Sequence, residues 1–343
     1  MIKDLLEKAF ILKNKGYYKN ALEIFYKALE LDDSSLELFL EIAKCYYAMG
    51  DEEHSINYIE IILEKNPVHI NALIFLKQLF LDKKSWLEAE NSAKTIYAIT
   101  KKTEDLAEIF EILNIQKRYS EIFDYKIEED NSIILFQKAY AKMFLNELSE
   151  AERYINKALN YDYNNKNILL KAKILFKSQK IEECISLLEQ VNFQEKDSDF
   201  LNFLGVIKQS QCEFYEAIRY FREAIKLAPK KDEYYYNCAS TYFKMNDNLL
   251  AKKYYNKAIS LAPENSNYHF ALANLYYSEK NYKRALEELT EDFFESNMLK
   301  AIILFDSGYY VLAKKEFDKL YLSNPENELL KEYRLKLEEL FAI

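Results

Sequence analysis

Residues 198–231 read SDFLNFLGVIKQSQCEFYEAIRYFREAIKLAPKK, and residues 232–265 read DEYYYNCASTYFKMNDNLLAKKYYNKAISLAPEN. The second stretch repeats the first at a period of 34 residues. Leu201, Leu204, Gly205, Ala217, Phe221, Ala224 and Pro229 are answered by Tyr235, Cys238, Ala239, Ala251, Tyr255, Ala258 and Pro263. Size class is kept at each place: bulky, apolar, small, small, aromatic, small, proline. A fixed period of this length with two amphipathic helices per unit signals a helical repeat array, whose units bury their apolar faces by stacking on one another. The expected fold class is all-α.

Glycine and proline test that reading along the rest of the chain. Only 4 Gly and 4 Pro occur, far below averages of roughly 7% and 5%, which leaves too little punctuation for a β-sandwich or a loop-rich α/β fold. With Ser198 and Asp232 as position 1, Pro67, Pro229, Pro263 and Pro325 all fall at position 32, after the second helix. Gly16, Gly50 and Gly308 fall at position 15, the turn between the helices, where a positive φ is expected. Gly205 falls at position 8, inside the first helix. Glycine there costs about 1 kcal/mol relative to alanine, so a neighbouring helix is expected to approach closely.

This pattern, with Tyr242 and Tyr276 added at position 11, resembles the tetratricopeptide repeat family. The resemblance covers essentially the whole chain. It implies a right-handed α-solenoid of about ten helix-turn-helix repeats over 1–327, closed by a C-terminal capping helix over 328–343, and a role as a non-catalytic binding scaffold.

Some repeats depart from the pattern. The second, 36–69, has Ser55 at the small position 20; the third has Lys77 at position 8 and the lone Trp86 at position 17. Residues 104–131 are short for a repeat: Leu106, Ile109, Phe110 and Leu113 keep helical spacing, then Tyr119, Ile122 and Phe123 follow. They read as a pair whose second helix is cut at Glu128, Glu129 and Asp130, the alternative being a hinge between sub-arrays. Thr103, before Glu104 and Asp105, is the expected helix cap. The fifth repeat carries Lys142 at position 11. The ninth, 266–293, is short again, with Asp292 where a small residue belongs and Ser296 the expected cap of the next helix. Leu329, Tyr333, Leu337 and Leu340 share one stripe of the tail, suited to cover the last repeat or, alternatively, to dimerise.

Composition narrows the function classes. The net charge is −9, whereas nucleic-acid binding draws its affinity from Lys and Arg in excess. No apolar run approaches the ~18 residues of a membrane span. Charges at Lys3, Asp4, Glu7, Lys8 and Lys13 break the apolar core a signal peptide needs, so a cytoplasmic protein is expected. Cys45, Cys184, Cys212 and Cys238 lie outside ligand spacing of one another, and His54, His69 and His269 lie outside any ligand pair, so neither metal nor cofactor is expected. A phosphate-cradling glycine loop and a Gly-x-Ser-x-Gly elbow are both absent. An enzyme acting on a small molecule is not expected.

What remains is a surface. Positions 2, 5/6, 9 and 12/13 of the first helices share one face by helical spacing, and the resemblance implies that this face lines a concave groove. Tyr47, Phe176, Phe243, Tyr277 and Phe305 stand at position 12, and Tyr236 and Phe270 at position 5. Asn237, Asn274, Lys173, Lys177 and Lys244 add amides and amines. Such a stripe suits an extended segment or amphipathic helix of a partner protein, in complex assembly. The family's carboxylate clamp is not met, because Asn202, Val206, Asn267 and Ala271 stand where most of its residues belong. The alternative function is single-stranded RNA binding, with the 29 Tyr and 22 Phe as stacking platforms.

Overall fold

The computed structural model describes residues 2–127, 130–191, 197–290 and 293–341. Among these residues there are helices and turns and no strand. Contacts divide the chain into two compact units, 1–190 and 191–343.

In the first unit, α1 (Ile2–Asn14) pairs with α2 (Tyr18–Leu29), α3 (Leu36–Ala48) with α4 (Glu52–Lys65), and α5 (Ile70–Asp82) with α6 (Trp86–Thr100). Next come α7 (Thr103–Ile115) and a 3-10 helix (Tyr119–Asp124), then the pairs α8 (Ser132–Phe144) with α9 (Leu148–Tyr161) and α10 (Asn165–Lys177) with α11 (Ile181–Glu189). The second unit holds α12 (Ser198–Ser210) with α13 (Phe214–Leu227), α14 (Asp232–Lys244) with α15 (Asn248–Leu261), α16 (Ser266–Ser278) with α17 (Tyr282–Glu288), α18 (Phe294–Asp306) with α19 (Tyr310–Ser323), and α20 (Glu328–Phe341).

One turn makes all these pairs. Position 15 is left-handed in each: Gly16, Gly50 and Gly308 lie at φ 82°, 82° and 85°, and Lys84, Lys117, Asn146, Gln179, Cys212, Asn246 and Lys280 lie between 58° and 64°. The next amide reaches back to the carbonyl of position 11, as from Asp51 to Tyr46 at 3.0 Å and from Asp247 to Tyr242 at 2.9 Å. This six-to-one bond satisfies a carbonyl that the helix end leaves open. The prolines at position 32 all sit in the turn after the second helix.

Packing inside a pair explains the small positions. A Cβ built on Gly205 would lie 2.5 Å from the ring of Phe221, itself fully buried, so this position carries glycine because a ring occupies the space. Ser55 and Cys184 tolerate position 20 by donating across the pair. Ser55 Oγ reaches the Ala43 carbonyl at 2.9 Å, and Cys184 Sγ the Ala172 carbonyl at 3.2 Å. Lys77 at position 8 is buried along its stem while its amine meets Glu108 on α7. Lys142 at position 11 does not disturb α8: its amine bonds Glu147 at 2.5 Å and stands 4.4 Å from the Phe123 ring centroid.

The irregular stretch keeps the turn and loses the second helix. Lys117 is left-handed, Arg118 donates to the Leu113 carbonyl at 2.9 Å, and a 3-10 helix follows. An ion cluster holds it: Arg118 bonds Glu121 and Glu90 at 2.5 Å, and Lys94 bonds Glu90 at 2.6 Å. Glu90 is 1% exposed. Burial pushes its carboxyl up, but hydrogen bonds from Lys94, Arg118 and Gln116 outweigh that and hold it below the ordinary range. Leu106, Ile109, Phe110 and Leu113 join Ala89, Ala93, Ile122 and Ile134 in one core. The expected cut at Glu128 and Glu129 lies outside the described residues, as does Asp292.

Three sequence expectations need correction. Thr103 is the first helical residue of α7, behind Lys102, and makes no cap. Ser296 lies inside α18, buried, and donates to the Thr290 carbonyl. On α20 the inward residues are Leu330 and Leu337, packed with Ala301, Ala313 and Phe317 and flanked by Tyr333; Leu329 and Leu340 are 44% exposed. The apolar stripe is displaced by one residue at its start, a shift that helical spacing of leucines does not resolve.

Candidate partner-binding face

The first helices of the second unit are fastened to one another by polar side chains about one repeat apart. Tyr234 donates to Asp199 at 2.5 Å and lies 3.1 Å from the Ser198 hydroxyl, and Tyr268 donates to Asp232 at 2.8 Å. Asn237 Nδ2 bonds Asn202 Oδ1 at 2.9 Å, Gln209 bonds Thr241 at 2.7 Å, and Lys244 bonds Gln209 at 3.1 Å. Tyr277 donates to Asp306 at 2.6 Å. The fasteners at positions 1 and 3 were readable as a tyrosine following a Ser or Asp by 36 residues, a signal hidden among so many tyrosines.

On this frame Tyr236, Phe243, Phe270 and Tyr277 are half-buried around one cluster that includes Leu272, Leu275 and Tyr276. Tyr236 stacks on Tyr268 at 5.0 Å, and burial pushes its hydroxyl above the ordinary value. Phe270 meets the edge of Phe293 at 5.3 Å. Phe305 sits beyond them against Tyr310 and Tyr333, at 5.4 and 5.2 Å. Asn274 turns its Nδ2 back to the Phe270 carbonyl at 2.9 Å, which leaves its amide oxygen for a ligand. Position 5 packs inward where it is aliphatic: Leu40, Leu169 and Met298 are buried.

The remaining sequence candidates belong to the first unit. Tyr47 is half-buried, edge-on to Phe75 at 5.8 Å, and donates to Asp82; that bond, then burial, pushes its hydroxyl up to about 12. Lys177 is exposed and bonds the Met143 carbonyl at 2.8 Å, while Lys173 and Phe176 are half-buried on the same helix. The tyrosine-to-carboxylate bond from position 12 to position 13 of the next repeat thus occurs in both units, at Tyr47 and at Tyr277. Such a bond fixes the ring in place and leaves its face as the part a partner would touch.

Elsewhere the chemistry is quiet. The four cysteines are free, and burial pushes Cys45 and Cys184 up to about 11 and Cys238 to about 12, which makes these three poor nucleophiles. Among the described residues no cluster of three or more His, Cys, Asp or Glu side chains is placed to hold a metal, and no helix is long and apolar enough to cross a membrane.

A family profile described as tetratricopeptide repeat matches residues 5–35, 133–165, 198–231 and 232–265. At these four places the chain carries tetratricopeptide repeats. Its fold is similar to that of the crystal structure of the APC/C hetero-tetramer Cut9-Hcn1, at 12% identity and a TM-score of 0.60, over 97% of this chain and 75% of that one. It is also similar to a tetratricopeptide repeat protein from Parabacteroides merdae, at 17% identity and 0.55, over 70% and 98%. Pseudomonas aeruginosa pilF matches at 17% and 0.50, over 64% and 99%. Identities this low establish the helical-repeat architecture alone. No curated protein matches the chain.

Proposed function

We propose that this tetratricopeptide-repeat chain is a non-catalytic scaffold that binds an extended segment or an amphipathic helix of a partner protein along the first-helix face of its second unit. The observation that carries this reading is the row of half-buried aromatics Tyr236, Phe243, Phe270 and Tyr277, held on first helices fastened by Asn202–Asn237, Gln209–Thr241 and Tyr277–Asp306. A pre-organised aromatic row loses little conformational entropy on binding, which is where peptide-binding surfaces gain affinity. Asn274 offers an amide oxygen beside it, suited to backbone N–H groups of an extended segment. Assembly of a multi-protein complex in the cytoplasm is the setting this chemistry suits best.

The test is capture from the native lysate by wild type and by Tyr236→Ala/Phe243→Ala/Tyr277→Ala, after unfolding curves show both folded. A protein held by wild type and lost by the variant supports the reading. Equal capture by both removes the first-helix face from the role.

A further inference from the structure

The second helices of the second unit carry a site of opposite character. Between α13 and the end of α14 lies an open cleft of about 570 Å3, and no residue of the first-helix row lines it. Arg219, Arg222 and Lys226 bring three cations, Tyr215 and Tyr242 two phenols, and Glu223 and Asp247 two carboxylates. Asp247 is already committed, capping α15 through the Leu250 amide at 3.1 Å.

Arg222 is the distinctive group. Among the described residues no carboxylate pairs with it, and its charge acts on the Cys238 thiol and the Tyr242 and Tyr254 hydroxyls, against the burial that pushes all three up. Arg219 bonds Glu216 of its own helix at 2.8 Å, lies 4.9 Å from the Tyr220 ring centroid and remains 56% exposed. Tyr215, at the mouth, is 82% exposed. The surroundings extend the charge: residues 214–257 hold nine Lys and Arg against five Asp and Glu, in a chain of net charge −9. Exposed Lys226, Lys230, Lys253 and Lys257 have no carboxylate partner among the described residues. A guanidinium beside aromatic rings with no carboxylate in direct ion-pair contact has its paired N–H bonds open to an incoming carboxylate.

We propose that the α13–α14 cleft docks an acidic segment of a partner protein, with partner carboxylates on Arg219 and Arg222 and an apolar side chain against Tyr215. Charge complementarity selects this occupant, because the rest of the chain repels anions while this face attracts them. The site is separate from the first-helix row, so either can fail without the other.

The test uses the full chain and a fluorescein-labelled poly-glutamate peptide, read by fluorescence anisotropy at low and at physiological salt. Wild type is expected to bind, more weakly as salt rises. Arg219→Gln/Arg222→Gln is expected to weaken binding about tenfold, the sum of two partly exposed ion pairs. Lys314→Gln/Lys315→Gln removes the same charge from α19 and is expected to leave binding unchanged, as is Tyr236→Ala/Phe243→Ala. Arg222→Gln alone, with an unaltered unfolding curve, guards against a folding defect in the double variant. Absence of binding at low salt overturns the proposal, and so does equal loss in the α13 and α19 variants. Single-stranded oligothymidylate binding as tightly through the same arginines would also overturn it, making the cleft a nucleic-acid surface.

Discussion

The pair α12–α13 closes on an aromatic ring: Gly205 leaves the space that Phe221 fills. The stretch from α7 to the 3-10 helix opens with the same left-handed turn but continues into six residues of 3-10 helix, held by Arg118 between Glu90 and Glu121. What the two share is the backbone turn; what differs is how the polypeptide after it is anchored. The turn is therefore the conserved unit of this architecture within the chain, and the second helix can be traded for an ion cluster.

The comparison breaks most visibly at Arg118. Arg118→Ala leaves the buried Glu90 carboxylate with Lys94 and Gln116, and losing one hydrogen bond to a charged group that keeps two partners costs about 1.5–3 kcal/mol. Chemical denaturation should show that loss. Its pH dependence follows from the sign of the shift: Glu90 is held below its unfolded value, so its contribution is present at neutral pH and fades as pH falls below about 4.3. The variant should lose less stability than wild type across that acid range.

Gly205→Ala tests the other region. Its Cβ would meet the Phe221 ring at 2.5–2.9 Å, an overpacking expected to cost about 1–3 kcal/mol in thermal unfolding, with Gly205→Leu at or above that range. An unchanged midpoint would show that the ring has room to move, and the aromatic closure would lose its meaning.

Tyr277→Phe removes the bond to Asp306, at an expected cost of about 1 kcal/mol near neutral pH. Burial first, then that bond, pushes the wild-type hydroxyl above its ordinary value, so its contribution holds below about pH 10 and is lost as pH rises further. The phenylalanine variant should therefore lose less stability than wild type in alkali.

The smallest effect probes what the two regions share. Lys117→Gly and Asn246→Gly each relieve a left-handed side chain, at φ 61° in both. Each should stabilise by about 1 kcal/mol, less the entropy glycine loses on folding. Destabilisation at Lys117 alone would mean that its turn is not the same device.

Much of this was legible in the sequence. Gly16, Gly50 and Gly308 gave away the turn, the prolines marked the ends of pairs, and Gly205 announced a close approach. The same turn at Lys84, Lys117 and Cys212 was not legible, because backbone bonds impose a positive φ on residues that tolerate it at modest cost. Glu90 and Arg118 are separated by 28 residues, so nothing local in the sequence pairs them. Thr103 and Ser296 failed as caps because a cap depends on where the helix begins, and propensity resolves that poorly. The aromatic row was found by position, but its fastening by Tyr234, Tyr268 and Asn202 required the packed helices.

Hydrogen exchange on the scaffold, alone and in complex with a partner captured from the lysate, tests the central claim most directly. Protection on binding concentrated in α14 and α16, around Tyr236, Phe243, Phe270 and Tyr277, is the expected result. Protection confined to other helices, with α14 and α16 exchanging as in the free protein, would contradict it.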